Sequence, residues 1–138
     1  MSERFVVDAS VGIAWVHPAR AVPQTEALLQ AVYIGAVVEA PALWPLEVAN
    51  ALLVLVRRNK LSAGERQRSL VALQNLSVEL DHEMSSLAFT KLSTLADEHR
   101  LSVYDAAYLE LALRKKLPLG CKDGPLHEAA KRCHLKSL

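Results

Sequence analysis

The chain has 138 residues, 51% of them hydrophobic, enough to build the core of one domain of ordinary size, 1–138. Its 16 Lys and Arg nearly balance 15 Asp and Glu, for a net charge of +1, which excludes a global field that would draw the protein onto nucleic acid or a membrane surface; such binding must come from local patches. No apolar run reaches the ~20 residues of a membrane span. Met1-Ser2-Glu3-Arg4 and the short apolar run behind it lack the form of a secretory signal, so a cytoplasmic protein is expected. Cys121 and Cys133 are expected as reduced thiols there, and with His127 and His134 they lack the paired spacing of a zinc site.

In chain order, Arg4-Phe5-Val6-Val7 is a β-branched apolar run without alternation, the pattern of a strand covered on both faces. Asp8 or Ser10 can cap a short helix that halts near Pro18. Apolar residues recur at helical spacing from Gln24 to Ile34, and Gly35 ends them; Val37 to Ala40 reads as a second strand. A helix is expected from Leu43 or Trp44 to about Asn59, with Pro45 in its first turn. Ser62-Ala63-Gly64-Glu65 has the form of a capping box that opens a helix to about Asn75, forming a hairpin with the one before it. Val78 to Leu80 is a third strand, and a helix starting at Ser85 or Ser86 runs to about His99. Ser102 caps the next helix, which closes on Arg114-Lys115-Lys116; Leu117 to Cys121 is a buried strand, Pro125 to Arg132 a helix, and His134 to Leu138 a terminal strand. Strands alternating with helices predict an α/β fold with a largely parallel sheet.

Four acids stand out against this frame. Asp8 and Asp123 follow the carboxyl ends of predicted strands, while Glu47 and Asp105 lie in the first turns of predicted helices. Each has a local explanation: capping for Asp8, the helix dipole for Glu47, a capping box with Ser102 for Asp105, a turn for Asp123. Glu47 is harder to explain locally, because it and Asn50 are the only polar side chains between Pro41 and Val56. In open α/β sheets the ligand crevice lies at the carboxyl ends of the strands, where these acids can converge. Converging carboxylates repel one another unless a multivalent cation sits among them, and hard oxygen donors without His or Cys suit Mg²⁺ or Mn²⁺. Such a site matches phosphodiester hydrolysis, in which metal polarises the phosphate and lowers the pKa of a water. No G-x-S-x-G elbow or Gly-rich phosphate loop points to acyl transfer or a P-loop nucleotidase.

Val7-Asp8-Ala9-Ser10-Val11, Pro41 through Asn50, Leu101 through Tyr108, and Leu119-Gly120-Cys121-Lys122-Asp123 together resemble the ordered motifs of PIN-domain ribonucleases, particularly VapC-type toxins. The resemblance covers nearly the whole chain. It implies a three-layer α/β/α domain with a mostly parallel five-stranded sheet, metal-dependent RNA cleavage, a homodimer, and inhibition by a cognate antitoxin. Carried over by position, Asp8, Glu47, Asp105 and Asp123 are the acidic, metal-binding residues, and Ser10 supports the first of them. The family usually places Thr or Ser where this chain has Cys121, a weaker hydrogen-bond partner for the closing acid. A non-catalytic PIN-like binding module that keeps the acids for structure is the alternative from another class. A phosphoacceptor receiver domain is disfavoured because no paired acids follow the first strand. Arg57, Arg58 and Lys60, or Arg114, Lys115, Lys116 and Lys122, are candidate phosphate contacts, and Trp15 and Trp44 are candidates for base stacking or core. The two long apolar helices, Trp44 to Val56 and Leu61 to Leu76, exceed the needs of one small core and favour a dimer or antitoxin surface.

Overall fold

The structure, a computed structural model, describes residues 3–138. Strands β1 (Arg4–Val7), β2 (Val37–Pro41), β3 (Val78–Asp81) and β4 (Leu119–Gly120) form one sheet in the order β3-β2-β1-β4, and every pairing is parallel. The sheet is flanked by helices, as expected for an α/β/α arrangement. Among the described residues it has four strands rather than five. The expected terminal strand contributes one isolated bridge, Leu119 to Ser137, because β4 offers its edge for two residues before Lys122-Asp123-Gly124 turns away. The order places β1 in the middle: the chain winds outward through β2 and β3, then returns to lay β4 on the other side of β1. The boundary between β1 and β4 is therefore the topological switch point, where parallel sheets open a crevice at their carboxyl ends.

The apolar runs account for the core. Phe5, Val6, Val7, Val38 and Ala40 have no exposed surface, as expected of parallel strands covered on both faces. Helix α7 (Val103–Lys115) packs on β1 and β2 and is buried without interruption from Ala106 to Ala112. Helix α1 (Ala9–Val16) packs against α2 (Pro23–Tyr33), α3 (Trp44–Arg57) and α4 (Ala63–Gln74), and α3 and α4 contact each other as the expected hairpin. The Ser62 capping box forms in full: Glu65 N donates to Ser62 Oγ at 3.0 Å, and Ser62 N donates to Glu65 Oε1 at 2.9 Å. A glycine sets the α1–α3 spacing. A Cβ on Gly12 would stand 2.7 Å from Trp44 Cζ2, so the two helices approach closely at the point where α3 begins.

The helix expected from Ser85 or Ser86 to His99 begins at Met84, one or two residues earlier, and is not uniform. Helix α5 (Met84–Leu87) passes through a π turn at Ala88–Leu92 into α6 (Ser93–His99), and the Ser93 hydroxyl donates to the Ala88 carbonyl at 2.6 Å across that turn. The chain then enters α7 and β4 and closes with α8 (Pro125–Arg132). No helix among the described residues is long and apolar enough to cross a membrane.

Two buried carboxylates are held by ion pairs. Glu110, on α7, is bonded by Arg114 through Nε to Oε2 at 3.0 Å, and Arg114 also grips Asp81 of β3 with Nη2 to Oδ2 at 2.7 Å and Nη1 to Oδ1 at 3.2 Å. Glu39, on β2, meets Lys115 at 3.0 Å and Arg4 at 3.4 Å. Arg114 and Lys115, proposed from sequence as phosphate contacts, are thus tied to the fold. Sequence spacing shows that cations gather at the end of α7 but not that buried acids of β2 and β3 lie opposite them.

Candidate active site

Asp8 sits where β1 gives way to α1, at the switch point. Its amide donates to Gly120 O at 3.1 Å, which ties it to β4. Its carboxylate caps α1 by accepting Val11 N at Oδ1 over 3.2 Å, and the same oxygen accepts the Ser10 hydroxyl at 2.7 Å. Both sequence readings of these residues are realised together: Asp8 is the cap, and Ser10 supports Asp8. Trp44 then fixes the approach of α3, because its indole Nε1 donates to the Asp8 carbonyl at 3.0 Å. That bond brings the first turn of α3, with Glu47, toward the end of β1. Trp15 is likewise a core residue, its Nε1 donating to Thr25 O at 2.9 Å.

Glu47 accepts the Tyr108 hydroxyl at Oε1 over 2.6 Å, a bond that joins α3 to α7. Asp105 lies one helical turn before Tyr108, so the two share a face of α7. The Ser102 hydroxyl accepts Asp105 N at 3.0 Å, but the Ser102 amide makes no reciprocal donation to the Asp105 carboxylate among the described residues. Ser102 starts the helix, and the carboxylate is left for other work.

The electrostatics tie these acids into one locale. Burial pushes Asp8 up to about 6; the Ser10 and Val11 bonds oppose the shift, while the charges of Asp105 and Glu47 add to it. Glu47 is raised by burial and by Asp105 against the pull of the Tyr108 hydroxyl, and Asp105 is raised by burial. Tyr108 is pushed far above its ordinary value by burial, by its bond to Glu47 and by the charges of Glu47, Asp8 and Asp105. The Cys121 thiol is pushed up to about 12, by burial first and then by Asp8, Asp105 and Asp123, so it stays protonated and is no nucleophile at neutral pH.

Asp123 stands apart. Its side chain is fully exposed, and His127 faces it with Nε2 to Oδ1 at 3.8 Å. The structure therefore brings Asp8, Glu47 and Asp105 into mutual electrostatic reach and leaves Asp123 on the rim. Among the described residues no group of three His, Cys, Asp or Glu side chains stands close enough together to hold a metal ion. The donor set nevertheless fits a hard cation: it is all carboxylate and desolvated enough to penalise the bare charges. Mg²⁺ commonly takes only one or two carboxylates and retains several waters.

These shifts have a measurable consequence. Asp8 binds a proton more tightly folded than unfolded, so its contribution to stability is present below its ordinary carboxylate range and is lost as pH rises through about 6. Without divalent cation, Asp8→Asn is therefore expected to unfold at higher urea than the parent at pH 8, by about 2–3 kcal/mol, with the difference shrinking as the pH is lowered toward 4. Paired urea titrations in EDTA across that range test it; a difference that does not change with pH contradicts it.

Tyr108 and Trp44 are the site residues that sequence reasoning missed as such. For Tyr108 a signal existed, the Asp105-x-x-Tyr108 spacing, which puts phenol and acid on one helical face. Of the cationic clusters, Arg57, Arg58 and Lys60 lie at the far end of α3, ten residues and so ~15 Å of helix from Glu47. Lys122 lies at the carboxyl end of β4 and donates to the Arg20 carbonyl at 2.9 Å.

The sequence matches no protein-family model and no curated protein. Solved structures resemble it in fold. PAE2754 from Pyrobaculum aerophilum superposes with a TM-score of 0.70 at 21% identity, covering 99% of this chain and 83% of that one. VapC20 of Mycobacterium tuberculosis, described as a sarcin–ricin loop cleaving toxin, superposes with a TM-score of 0.62 at 18% identity, covering 91% of this chain and 94% of that one. FitAcB from Neisseria gonorrhoeae gives 0.58 at 16% identity, covering 97% and 96%. These likenesses show a shared fold, an α/β class with a parallel sheet flanked by helices.

Proposed function

We propose that the chain is a single PIN-like domain acting as a divalent-metal-dependent endoribonuclease, the toxin of a toxin–antitoxin pair in the cytoplasm. The observation that carries this reading is the gathering of Asp8, Glu47 and Asp105, from three separate elements, in one partly desolvated locale where burial raises all three and the charges of Asp105 and Glu47 add to the rise at Asp8. A fold needs no such arrangement, since it costs stability wherever the acids are ionised. The likeness in fold to a sarcin–ricin loop cleaving toxin and to a toxin–antitoxin complex from Klebsiella pneumoniae supports the same reading.

In this proposal Asp8, Glu47 and Asp105 hold Mg²⁺ or Mn²⁺, and Asp123 joins from the rim, directly or through water. A bound divalent cation supplies Lewis acidity, polarising the phosphate and lowering the pKa of an attacking water. Ser10 and the Val11 amide fix one oxygen of Asp8, leaving the other for the cation. Tyr108 fixes Oε1 of Glu47 in the same way. Cys121, protonated and buried, fills the position under the closing acid without competing for a hard metal. The apolar surface of α3 and α4, with Leu46 74% exposed and a groove lined by Trp44, Pro45, Leu70 and Leu73, is offered to a cognate antitoxin and to a second copy in a homodimer.

The test is cleavage of structured and unstructured RNA by the purified chain with Mg²⁺ or Mn²⁺ against EDTA. Internal cuts that require the cation are expected; an inert protein under both conditions points instead to the non-catalytic binding module.

A further inference from the structure

Past the carboxyl end of β4 the structure opens a cavity of about 520 Å³. Val11, whose amide caps against Asp8, forms part of its wall, and Cys121 and Asp123, which follow β4, form another. Asp8, Glu47 and Asp105 do not line the cavity, but Val11 is shared between its wall and the Asp8 cap. Its interior is mixed in a particular way. Val11, Val22 and Leu28 give an aliphatic wall, while Gln24, Lys122 and His127 bring an amide, an ammonium and an imidazole, and the Asp123 carboxylate lies 3.8 Å from His127 Nε2. Two of these polar groups are held in place: Ser137 Oγ lies 2.8 Å from His127 Nδ1, and Lys122 Nζ donates to a carbonyl, which leaves its charge unneutralised.

An apolar wall with a few oriented polar groups at the edge, in a volume of several hundred Å³, is the form of a small-molecule site. A flat heteroaromatic ring suits the aliphatic wall, and a phosphate suits Lys122. A nucleotide carries both.

We propose that this cavity receives one nucleotide of the RNA next to the scissile phosphate, its base against Val11, Val22 and Leu28, its edge read by Gln24 and His127, and its phosphate met by Lys122. The proposal rests on the ribonuclease reading for the identity of the substrate, but the cavity can be tested without cleavage. The four nucleoside 5′-monophosphates are titrated separately into the full chain without divalent cation, and the Gln24 side-chain amide and His127 ring are followed by NMR. Saturable shifts at both groups are expected, with one nucleotide preferred. Gln24→Ala, a change at an exposed position, should weaken the preferred nucleotide about tenfold, the cost of losing one polar contact to a base edge. Val22→Trp, which fills the cavity, should abolish the shifts. Absence of shifts at Gln24 and His127 up to about 10 mM nucleotide, or equal binding by the parent and Gln24→Ala, overturns the proposal. Failure of the ribonuclease reading is distinguishable. A chain that cuts RNA but binds no mononucleotide loses the cavity and keeps the chemistry, whereas one that binds a mononucleotide in the cavity but cuts no RNA does the reverse.

Discussion

Asp105→Asn is expected to reduce cation-dependent RNA cleavage by about 100-fold or more while leaving the fold intact, since removing a charge that holds the cation removes what stabilises the developing phosphate charge. The fold is expected to survive because the Ser102 cap is made to the backbone amide of residue 105, which Asn retains. Asp105 is also half-buried and its carboxyl is raised by desolvation, so the neutral amide should be no less stable in EDTA. Initial cleavage rates set beside urea midpoints separate the two effects. Unchanged cleavage would remove Asp105 from the chemistry, whereas loss of cleavage with loss of folding would make its role structural.

The second large effect concerns stability. Arg114→Met should cost about 3–5 kcal/mol, the typical cost of removing one partner of a buried ion pair. It leaves Glu110, with a side chain only 3% exposed, without its closest cation, and strips Asp81 of a two-point grip that holds β3 against α7. Arg114 also keeps the Asp81 carboxyl below its ordinary range, so that contribution is present above the ordinary range and is lost as the pH falls below it. The double variant Glu110→Leu with Arg114→Met should recover part of the loss, because the deeply buried Glu110 charge is gone while Asp81 still lacks its cation. Urea unfolding of the single and double variants decides between an ion pair that holds the sheet edge and one that is merely present. A single variant within about 1 kcal/mol of the parent indicates the latter.

What could be read from the sequence was what local chemistry writes into it. Parallel strands β1 and β2 follow from unbroken apolar runs, α4 from a capping box that forms in full, and α3 from Pro45 in its first turn. Asp8 was readable as the cap of α1, and Ser10 as its hydrogen-bond partner. Features that depend on partners distant in sequence were not readable. Arg114 and Lys115 read as free cations because nothing local shows that Asp81, Glu110 and Glu39 surround them. The fifth strand read as a continuation of the sheet, but β4 is too short to pair with more than one residue of it. The π turn at Ala88–Leu92 left no signature, since Ser85 through His99 carries ordinary helical periodicity. Asp123 was placed correctly at the end of a strand, but its full exposure depends on how Gly124, with φ +150°, turns the chain into α8.

The central claim is that Asp8, Glu47 and Asp105 form one cation site. The most direct measurement is calorimetric titration of Mn²⁺ into the parent and into Asp8→Asn, Glu47→Gln and Asp105→Asn separately. Saturable binding by the parent that each substitution weakens by about tenfold or more is the expected result. Binding that is absent in the parent, or equal in all four proteins, would contradict it.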